Sequence, residues 1–515
     1  MKKIMIATIG LMMLSLGSCT DDLNTEPLTQ LSLDELLAQD PNAIEGIVSR
    51  LYASFALSGP NGPGSSDISD NAGESPFLRG IVNLQDFTAD GMKNRWGDDG
   101  LDQLTTTSDW DGNNKFFRYL YNRIYYTIPQ CNNLIQVLQG VDVEDEEIVL
   151  SETRFIRALA YYYLIDAFGK GVLATEANLG QSTPLPEATR QELFNFVESE
   201  LLAIIPILPE SNSYGRANTY VASMLLAKLY MNAEVYTGTP RYADAVTYVK
   251  KVISGPYSLD PNFVKVFSAD NNTSPEIIFP LIADAVKSQS FGNTTYIVNG
   301  NLSPDTITIS DFGAAEGWQG HRATKAWYGL FAANEAELEN SNDIRASLFW
   351  TEGHSYEMTN YRTWTDGYPS VKFRNTKFQE MSTPTAFSST DFPLFRLADA
   401  YLMYAELAVR GVSGADMNTA LSYVNDVRLR SNASAITLSN LNEQFILDER
   451  ARELNLEGHR RTDLIRFGKF TGGAYNWPWK GGVASGTSIP ATYKLFPIPD
   501  QALQANPNLK QNPGY

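Results

Sequence analysis

Residues 446–470 read ILDERARELNLEGHRRTDLIRFGKF, and this stretch decides the interpretation of the chain. Its apolar residues recur at the spacing of one helix face: Leu447, Ala451 and Leu454. Three glutamates form a second stripe, each four residues from the next: Glu449, Glu453 and Glu457. Like charges at this spacing destabilise an isolated helix by a few tenths of a kcal/mol each, so the stripe needs partners.

Four basic residues follow the helix stop that Gly458 predicts: His459, Arg460, Arg461 and Arg466. We interpret the stretch as an acidic stripe that folds back against this arginine-rich corner. The alternative is a charged helix that is exposed to solvent, and the charge pattern alone leaves both interpretations open.

Three segments resemble signatures of the SusD/RagB family, the nutrient-binding lipoproteins on the surface of Bacteroidetes. ERARELNLEGHRRTDLIRFG, residues 449–468, is similar to the C-terminal signature of that family. RFIRALAYYYLIDAFG, residues 154–169, and the ending KLFPIPDQALQANPNLKQNPGY, residues 494–515, are similar to two others. The resemblance covers the mature chain from end to end.

The composition limits the classes of partner. The chain has 515 residues and a net charge of −19, which argues against nucleic acid and against anionic membrane surfaces as partners. It contains 26 Tyr, 25 Phe and 8 Trp, more aromatic side chains than a core alone is expected to take up. Aromatic side chains at a surface or in a cleft suit flat apolar ligand faces such as those of sugar rings.

Motifs of common catalytic centres are absent from the sequence. Only three histidines occur, His321, His354 and His459, and there is no HExxH, CxxC, P-loop, GxSxG or GxGxxG pattern. A zinc site or a Ser-His-Asp triad is therefore not expected. With 59 acidic residues, a glycosidase pair of carboxylates stays open, because two neighbouring acids carry almost no information here.

The N-terminus predicts a membrane anchor. Residues 1–18 combine two lysines with an apolar run that is short for a mature transmembrane helix, and they form a predicted lipoprotein signal peptide. Leu16 to Cys19 resembles a lipobox, which implies cleavage before Cys19 and lipidation of that residue; the alternative is an ordinary secretory signal. Residues 19–40 are a predicted tether. The second cysteine, Cys131, is expected to be a buried small side chain.

The remaining residues, 41–515, are predicted to form one mostly α-helical domain. Helical periodicity marks a scaffold at about 41–57, 113–267 and 390–470. Segments rich in Ala, Leu and Tyr, each followed by a second helical segment, resemble tetratricopeptide helical hairpins. Two long excursions rich in loop residues interrupt the scaffold, the first at about 58–112 and the second at about 268–389. Loops of this length are functional or disordered.

The resemblance to the starch-binding archetype of the family implies which residues bind ligand. In that archetype an arc of aromatic side chains from the two excursions contacts a helical α-glucan. The carried-over positions are Arg79, Trp96 and Asp99 in the first excursion and Tyr296 and Trp318 in the second. Asp99 replaces an asparagine of the archetype, which puts its hydrogen bond in doubt, although a carboxylate also accepts from sugar hydroxyls.

The resemblance implies a surface-exposed, non-enzymatic lipoprotein of the outer membrane. It would capture an oligosaccharide, with starch or another α-glucan as first choice, and deliver it to a SusC-type TonB-dependent transporter. The alternatives are another glycan or a peptide as cargo, or a glycoside hydrolase. No cofactor is expected. Calcium at residues 270–272 is conceivable from the oxygen-rich run, but a turn is favoured there.

Replacing Cys19 with alanine should release the protein from the membrane or misdirect it, because no other segment is apolar enough to hold it in a bilayer. The measurement is fractionation of cells that lack the transporter, followed by carbonate extraction. Carbonate-resistant membrane association of Cys19→Ala would show that the anchor lies elsewhere.

Overall fold

The computed structural model describes residues 31–515. The signal peptide, Cys19 and most of the tether lie outside the described residues, and the statements on them stay predictions. Residues 33–39, which we assigned to the tether, form a helix whose Leu37 is fully buried. The folded part therefore begins before residue 41.

Eighteen α-helices are labelled here in chain order within residues 31–515. They are α1 (Leu33–Gln39), α2 (Ala43–Ala56), α3 (Phe77–Val82), α4 (Leu101–Thr105), α5 (Lys115–Leu138), α6 (Glu146–Ala167), α7 (Arg190–Ile204), α8 (Thr219–Met231), α9 (Ala233–Thr237), α10 (Tyr242–Ile253), α11 (Thr294–Gly300), α12 (Lys325–Tyr328), α13 (Glu335–Glu339), α14 (Leu397–Val409), α15 (Met417–Arg430), α16 (Glu443–Leu454), α17 (Arg460–Arg466) and α18 (Asp500–Ala505). A π-helical turn, Asn83–Phe87, continues α3.

The strands of the described chain are short and form antiparallel pairs: β1 (Met92–Asn94) with β5 (His321–Ala323), β2 (Gly171–Val172) with β3 (Glu187–Ala188), and β4 (Ile277–Leu281) with β6 (Phe392–Arg396). The β4–β6 pair joins the beginning of the second excursion to the segment that leads back to the scaffold. Both ends of this excursion are therefore held at one place.

The long helices pack in a continuous series, which confirms the mostly α-helical, tetratricopeptide-like scaffold. α5 packs on α6, α6 on α7, and α7 on α8; α8 packs on α10, α10 on α14, and α14 on α15 and α16. Apolar faces at helical spacing drive this stacking, because each helix buries its stripe against the next. Cys131 of α5 is fully buried, as predicted, and burial raises the pKa of its thiol to about 12.

The glutamate stripe of α16 is removed from water, so the interpretation as a solvent-exposed helix is wrong. The exposed fraction is 0% for Glu449 and Glu453 and 2% for Glu457. Burial acts to raise the pKa of Glu449 and Glu453, but the surrounding arginines outweigh it and hold both values below the ordinary range.

The partners of the stripe differ from those that we predicted. Arg345 contacts Glu449 and Glu453, both at 2.9 Å, and Arg396 contacts Glu453 at 2.7 Å and Glu457 at 2.6 Å. Further ion pairs complete this buried charge network: Arg428 and Arg452 with Glu449, Arg430 with Glu453 and Glu276, Arg396 with Glu276, and Lys372 with Glu457. Apart from Arg452, which lies three residues from Glu449, these basic residues lie outside the stretch 446–470, which is why the local pattern could not indicate them.

The predicted corner binds other groups. Arg460 donates to both carboxylate oxygens of Asp90, at 2.8 and 2.7 Å, and Arg466 binds Glu406 in the same way. Arg461 stacks on Phe496 of the C-terminal segment, with 4.1 Å between the guanidinium carbon and the ring centre. Because Asp90 lies directly before β1, the contact of Arg460 fixes the approach to that strand.

Two further features concern the C-terminal segment and the start of the second excursion. The C-terminal segment docks on the scaffold, since the Phe496 amide donates to the carbonyl of Ala167 at 2.9 Å. The run at 270–272 forms a turn in which the Asn271 side chain donates to the carbonyls of Val266 and Asp391. Within residues 31–515 no helix is both long and apolar enough to cross a membrane.

Replacing Glu453 with alanine should lower the free energy of unfolding by about 3–5 kcal/mol, because three buried guanidinium groups lose a charged partner. Denaturant unfolding measures the change. The matched control is Glu380→Ala, which removes an exposed pair with Lys377 at 3.4 Å and should leave stability nearly unchanged. Equal stability of Glu453→Ala and wild type would contradict the role of the network.

Candidate functional site

A two-stranded ladder brings the two excursions together. β1 pairs with β5 in the register Met92 to Ala323, Lys93 to Arg322 and Asn94 to His321. The pairing continues for one more hydrogen bond, in which the Arg95 amide donates to the carbonyl of Gly320 at 3.0 Å. Since Trp96 follows β1 and Trp318 precedes β5, the ladder places these two residues side by side, although 222 positions separate them.

Trp96 is half-buried, and its hydrogen bonds fix its orientation. The indole nitrogen donates to the carbonyl oxygen of Trp318 at 2.9 Å, and the Trp96 amide donates to the Asn94 side chain at 2.7 Å. Gly320 lies against the ring, because a Cβ at that position would stand 2.4 Å from the indole. The side chain is thus held in place before any ligand arrives.

Trp318 sits on a turn that is fastened to α11. Three successive amides donate to carbonyl oxygens at the end of that helix: Trp318 to Asn299 at 2.7 Å, Gln319 to Leu302 at 2.9 Å, and Gly320 to Gly300 at 2.8 Å. The indole nitrogen of Trp318 donates to Glu316 at 3.1 Å. We call the half-buried side chains of Trp96 and Trp318 the indole pair.

Arg79 and Tyr296 form the layer beneath Trp96. The Arg79 guanidinium carbon lies 4.4 Å from the centre of the Tyr296 ring and 5.8 Å from that of Trp96. Tyr296 is 0% exposed and its hydroxyl donates to Asn83 at 2.7 Å. Its prediction as a direct ligand contact is therefore corrected: the ring has no free face, and it supports the residues above it.

Histidine closes the floor of the site. The ring centres of His321 and Trp96 are 5.2 Å apart, and those of His321 and Tyr296 are 4.6 Å apart. Burial, followed by the charges of Arg79 and Arg322, holds the pKa of His321 well below its ordinary value. Within the described residues neither ring nitrogen has a hydrogen-bond partner. The imidazole is neutral and acts as an apolar support.

The acidic side chains at the rim differ in their contacts. Asp98 lies 3.9 Å from the Arg79 guanidinium and is about one-third exposed, whereas Glu74 lies 3.7 Å from the same group and is buried. Asp99, the position that the resemblance implied, is exposed to solvent next to Asp98. A role for Asp99 in binding stays a prediction, and Asp98 is the acid that the sequence analysis missed.

Two phenylalanines extend the aromatic surface beyond Trp318. Phe291 is 37% exposed, and its ring centre lies 6.4 Å from that of Trp318. Phe387 follows at 4.8 Å from Phe291. The sequence does not single out Phe291, because no local pattern distinguishes an exposed ring from a buried one.

The structure describes a protein of stacked helices that carries an aromatic face at the ladder between its two excursions. The sequence model of the SusD family matches residues 345–515. The chain is 32% identical to the starch-binding protein SusD of Bacteroides thetaiotaomicron, with 99% of this chain and 98% of that protein covered. The chain belongs to the SusD family.

Solved structures agree with this assignment at the level of the fold. A SusD superfamily protein of Parabacteroides distasonis matches 94% of this chain and 100% of its own at a TM-score of 0.72 and 21% identity. Surface glycan-binding protein A of Bacteroides thetaiotaomicron in complex with laminarihexaose matches 92% of this chain and 99% of its own at a TM-score of 0.69 and 21% identity.

If the indole pair binds a glycan, replacing Gly320 with alanine should weaken that binding about fivefold to tenfold, with amylopectin, the branched α-glucan of starch, as the probe. The added methyl group displaces the Trp96 ring and breaks its hydrogen bond to Trp318 without removing either aromatic side chain. The measurement is retention on native affinity gels. The matched control is Gly46→Ala in α2, where nothing lies within 4 Å of the added group. Unchanged retention of Gly320→Ala would show that glycan binding does not depend on the position of the Trp96 ring.

Proposed function

We propose that this protein captures a neutral glycan at the cell surface, with an α-glucan as the preferred ligand. The carrying observation is the indole pair, two half-buried rings beside the ladder between the excursions, with the Trp96 indole bonded to the Trp318 carbonyl and the Trp318 indole to Glu316. The ligand-binding residues of the proposal are Trp96, Trp318, Arg79 and Asp99, joined by Asp98 and Phe291, with Tyr296 in support.

A pyranose ring offers an apolar C–H face and a rim of hydroxyl groups. The indole pair supports a face of this kind, because aromatic rings bury apolar area at little conformational cost. At the rim, the carboxylates of Asp98 and Asp99 accept hydrogen bonds from hydroxyls. Arg79 is 7% exposed and holds Asp98 in place at the edge of the pair.

The preference for an α-glucan rests on the relative that is 32% identical to this chain. The starch-binding protein SusD aligns with nearly the whole chain, including both excursions. Laminarin is the second candidate, because one structure with this fold is a complex with laminarihexaose and another is a laminarin-binding protein. Binding assays with amylopectin, laminarin, dextran, levan and xylan separate these ligand classes. If the cargo is a peptide, the protein should bind none of these polysaccharides.

The proposal extends to delivery and localisation, which family membership supports. A lipid at Cys19 would hold the protein on the outer face of the outer membrane, and a SusC-type TonB-dependent transporter would receive the glycan. The scaffold helices would face this partner while the excursions face the ligand. Co-purification with a transporter encoded beside it tests the assembly, and failure of a cross-linked pair to form in cells would refute it.

Each single change of Trp96 or Trp318 to alanine should weaken glycan binding about fivefold to thirtyfold, equivalent to about 1–2 kcal/mol. The loss reflects one stacking surface that stays partly open to solvent. Titration calorimetry measures the affinity, and thermal unfolding measures stability, which should change little because loop surfaces contribute little to the helical core.

The control for these variants is Tyr423→Ala, which removes a half-buried aromatic ring from α15 on the scaffold. It should keep full affinity. Wild-type affinity of both tryptophan variants would refute the site.

The purified wild-type protein should release no reducing ends from the glycan that it binds. Turnover that is abolished by the substitution of one carboxylate would favour a glycoside hydrolase instead.

A further inference from the structure

Trp350 in the second excursion is a rigid, half-buried ring outside the site described above. Its indole nitrogen donates to the carbonyl oxygens of Thr306 and Glu352, both at 3.2 Å. Phe312 packs edge-on at 6.1 Å between ring centres. The ring is therefore fixed by its edge and by one neighbour, as Trp96 is fixed in the indole pair.

Two open grooves flank this side chain. One has a volume of about 510 Å³ and runs along residues 346–352 and the end of α13. The other has a volume of about 540 Å³ and runs along residues 304–310. Trp350 and Glu352 line both grooves, so the indole forms part of the wall between them. Grooves of this size accept a drug-sized or disaccharide-sized ligand.

Thr306, whose carbonyl accepts from the Trp350 indole, is itself held by hydrogen bonds of its side chain. Thr306 accepts from the indole nitrogen of Trp364 at 3.1 Å and lies 3.1 Å from Nε2 of His354. Nδ1 of His354 lies 2.9 Å from the carbonyl of Gly367, so Nδ1 carries the proton and Nε2 accepts from Thr306. Burial lowers the pKa of His354 to about 4, which keeps this arrangement at neutral pH.

The charge of the grooves selects the class of ligand. No lysine or arginine lines either groove in the described chain, whereas three exposed acids do: Asp305, Glu339 and Glu352. Hydroxyl groups of exposed Ser347, Thr308 and Ser310 complete the lining. An acidic wall with no counter-charge repels polyanions, and carboxylates next to an aromatic ring suit the hydroxyls of a neutral sugar.

We propose that Trp350 and its two grooves form a second carbohydrate-binding site, which takes neutral pyranose units of the same polysaccharide. This inference rests on the proposed function, because the first site supplies the reason for a glycan to be present. The loop at 303–310 is attached to the turn of the indole pair, since the side-chain amide of Gln319 donates to the Ser303 hydroxyl at 2.7 Å. The two sites thus share a connected loop surface.

A second site raises the apparent affinity for long chains and leaves the affinity of each site for a single sugar unit unchanged. A short oligosaccharide occupies one site at a time, whereas a polymer that reaches both gains apparent affinity from the second contact without any new interaction at the first. The second site therefore favours long chains over short ones.

The test compares wild type with Trp350→Ala, with the Trp96→Ala/Trp318→Ala double variant, and with the triple variant. The probes are amylopectin on native affinity gels, with laminarin in parallel, and maltotriose by calorimetry. Trp350→Ala should lower apparent affinity for the polysaccharide at least about fivefold and leave maltotriose affinity unchanged. The double variant should keep weak retention on the polysaccharide, and the triple variant should lose it.

Each result decides one of the two proposals. If the Trp96→Ala/Trp318→Ala double variant bound the polysaccharide like wild type, the indole pair would be refuted as a binding site. The comparison of wild type with Trp350→Ala would still test the second site. Equal polysaccharide retention with and without Trp350 in both backgrounds would overturn the second site. So would retention of polygalacturonate by the double variant, because the acidic grooves exclude polyanions.

Trp350→Phe separates stacking from folding. Phenylalanine keeps an aromatic face and loses the hydrogen bonds to Thr306 and Glu352. Retention of most of the polysaccharide affinity supports the stacking role. If Trp350→Phe and Trp350→Ala lose affinity equally, and the melting temperature falls with it, Trp350 is a structural residue and the inference fails.

Discussion

Three carboxylates, two on α16 and one just beyond its end, are paired with basic groups inside the protein, and much of the architecture follows from that constraint. Burying a carboxylate is costly unless opposite charges surround it. Glu453 satisfies this condition with Arg345, Arg396 and Arg430, which come from three separate segments. The network can form only when the second excursion, β6 and α15 have reached α16. It therefore favours one arrangement of segments that are far apart in the chain.

The binding face depends on backbone geometry as much as on its aromatic side chains. The β1–β5 ladder sets the distance between the excursions, and the turn at 317–320 is bonded to α11 by its amides. Arg460, which belongs to the family signature, holds Asp90 at the entrance of β1. A signature that contacts no ligand in our proposal thus contributes to the position of Trp96, and rigid placement reduces the entropy that binding must overcome.

The sequence predicted those features that are encoded locally. Periodic apolar residues located α5, α6, α10 and the helices of the C-terminal scaffold, and Gly and Pro marked both excursions. The long signatures identified the family. Features that depend on distant contacts were not accessible. The partners of Glu453 are remote in sequence. Tyr296 is covered by Arg79 and Asn83, which come from the first excursion. Asp98 and Asp99 are neighbours in sequence, and only the geometry of the turn decides that Asp98 faces Arg79.

The closed ends of the second excursion have a consequence for how this family changes its ligands. β4 and β6 pair where the excursion leaves and rejoins the scaffold, and Arg345 and Lys372 attach its interior to α16. Between these attachment points the chain can vary in length and composition without disturbing the helical series. The excursion can therefore be replaced as a unit without a change of the helical scaffold. New ligand specificities can arise by exchange of this segment between relatives, while the helical body is inherited unchanged.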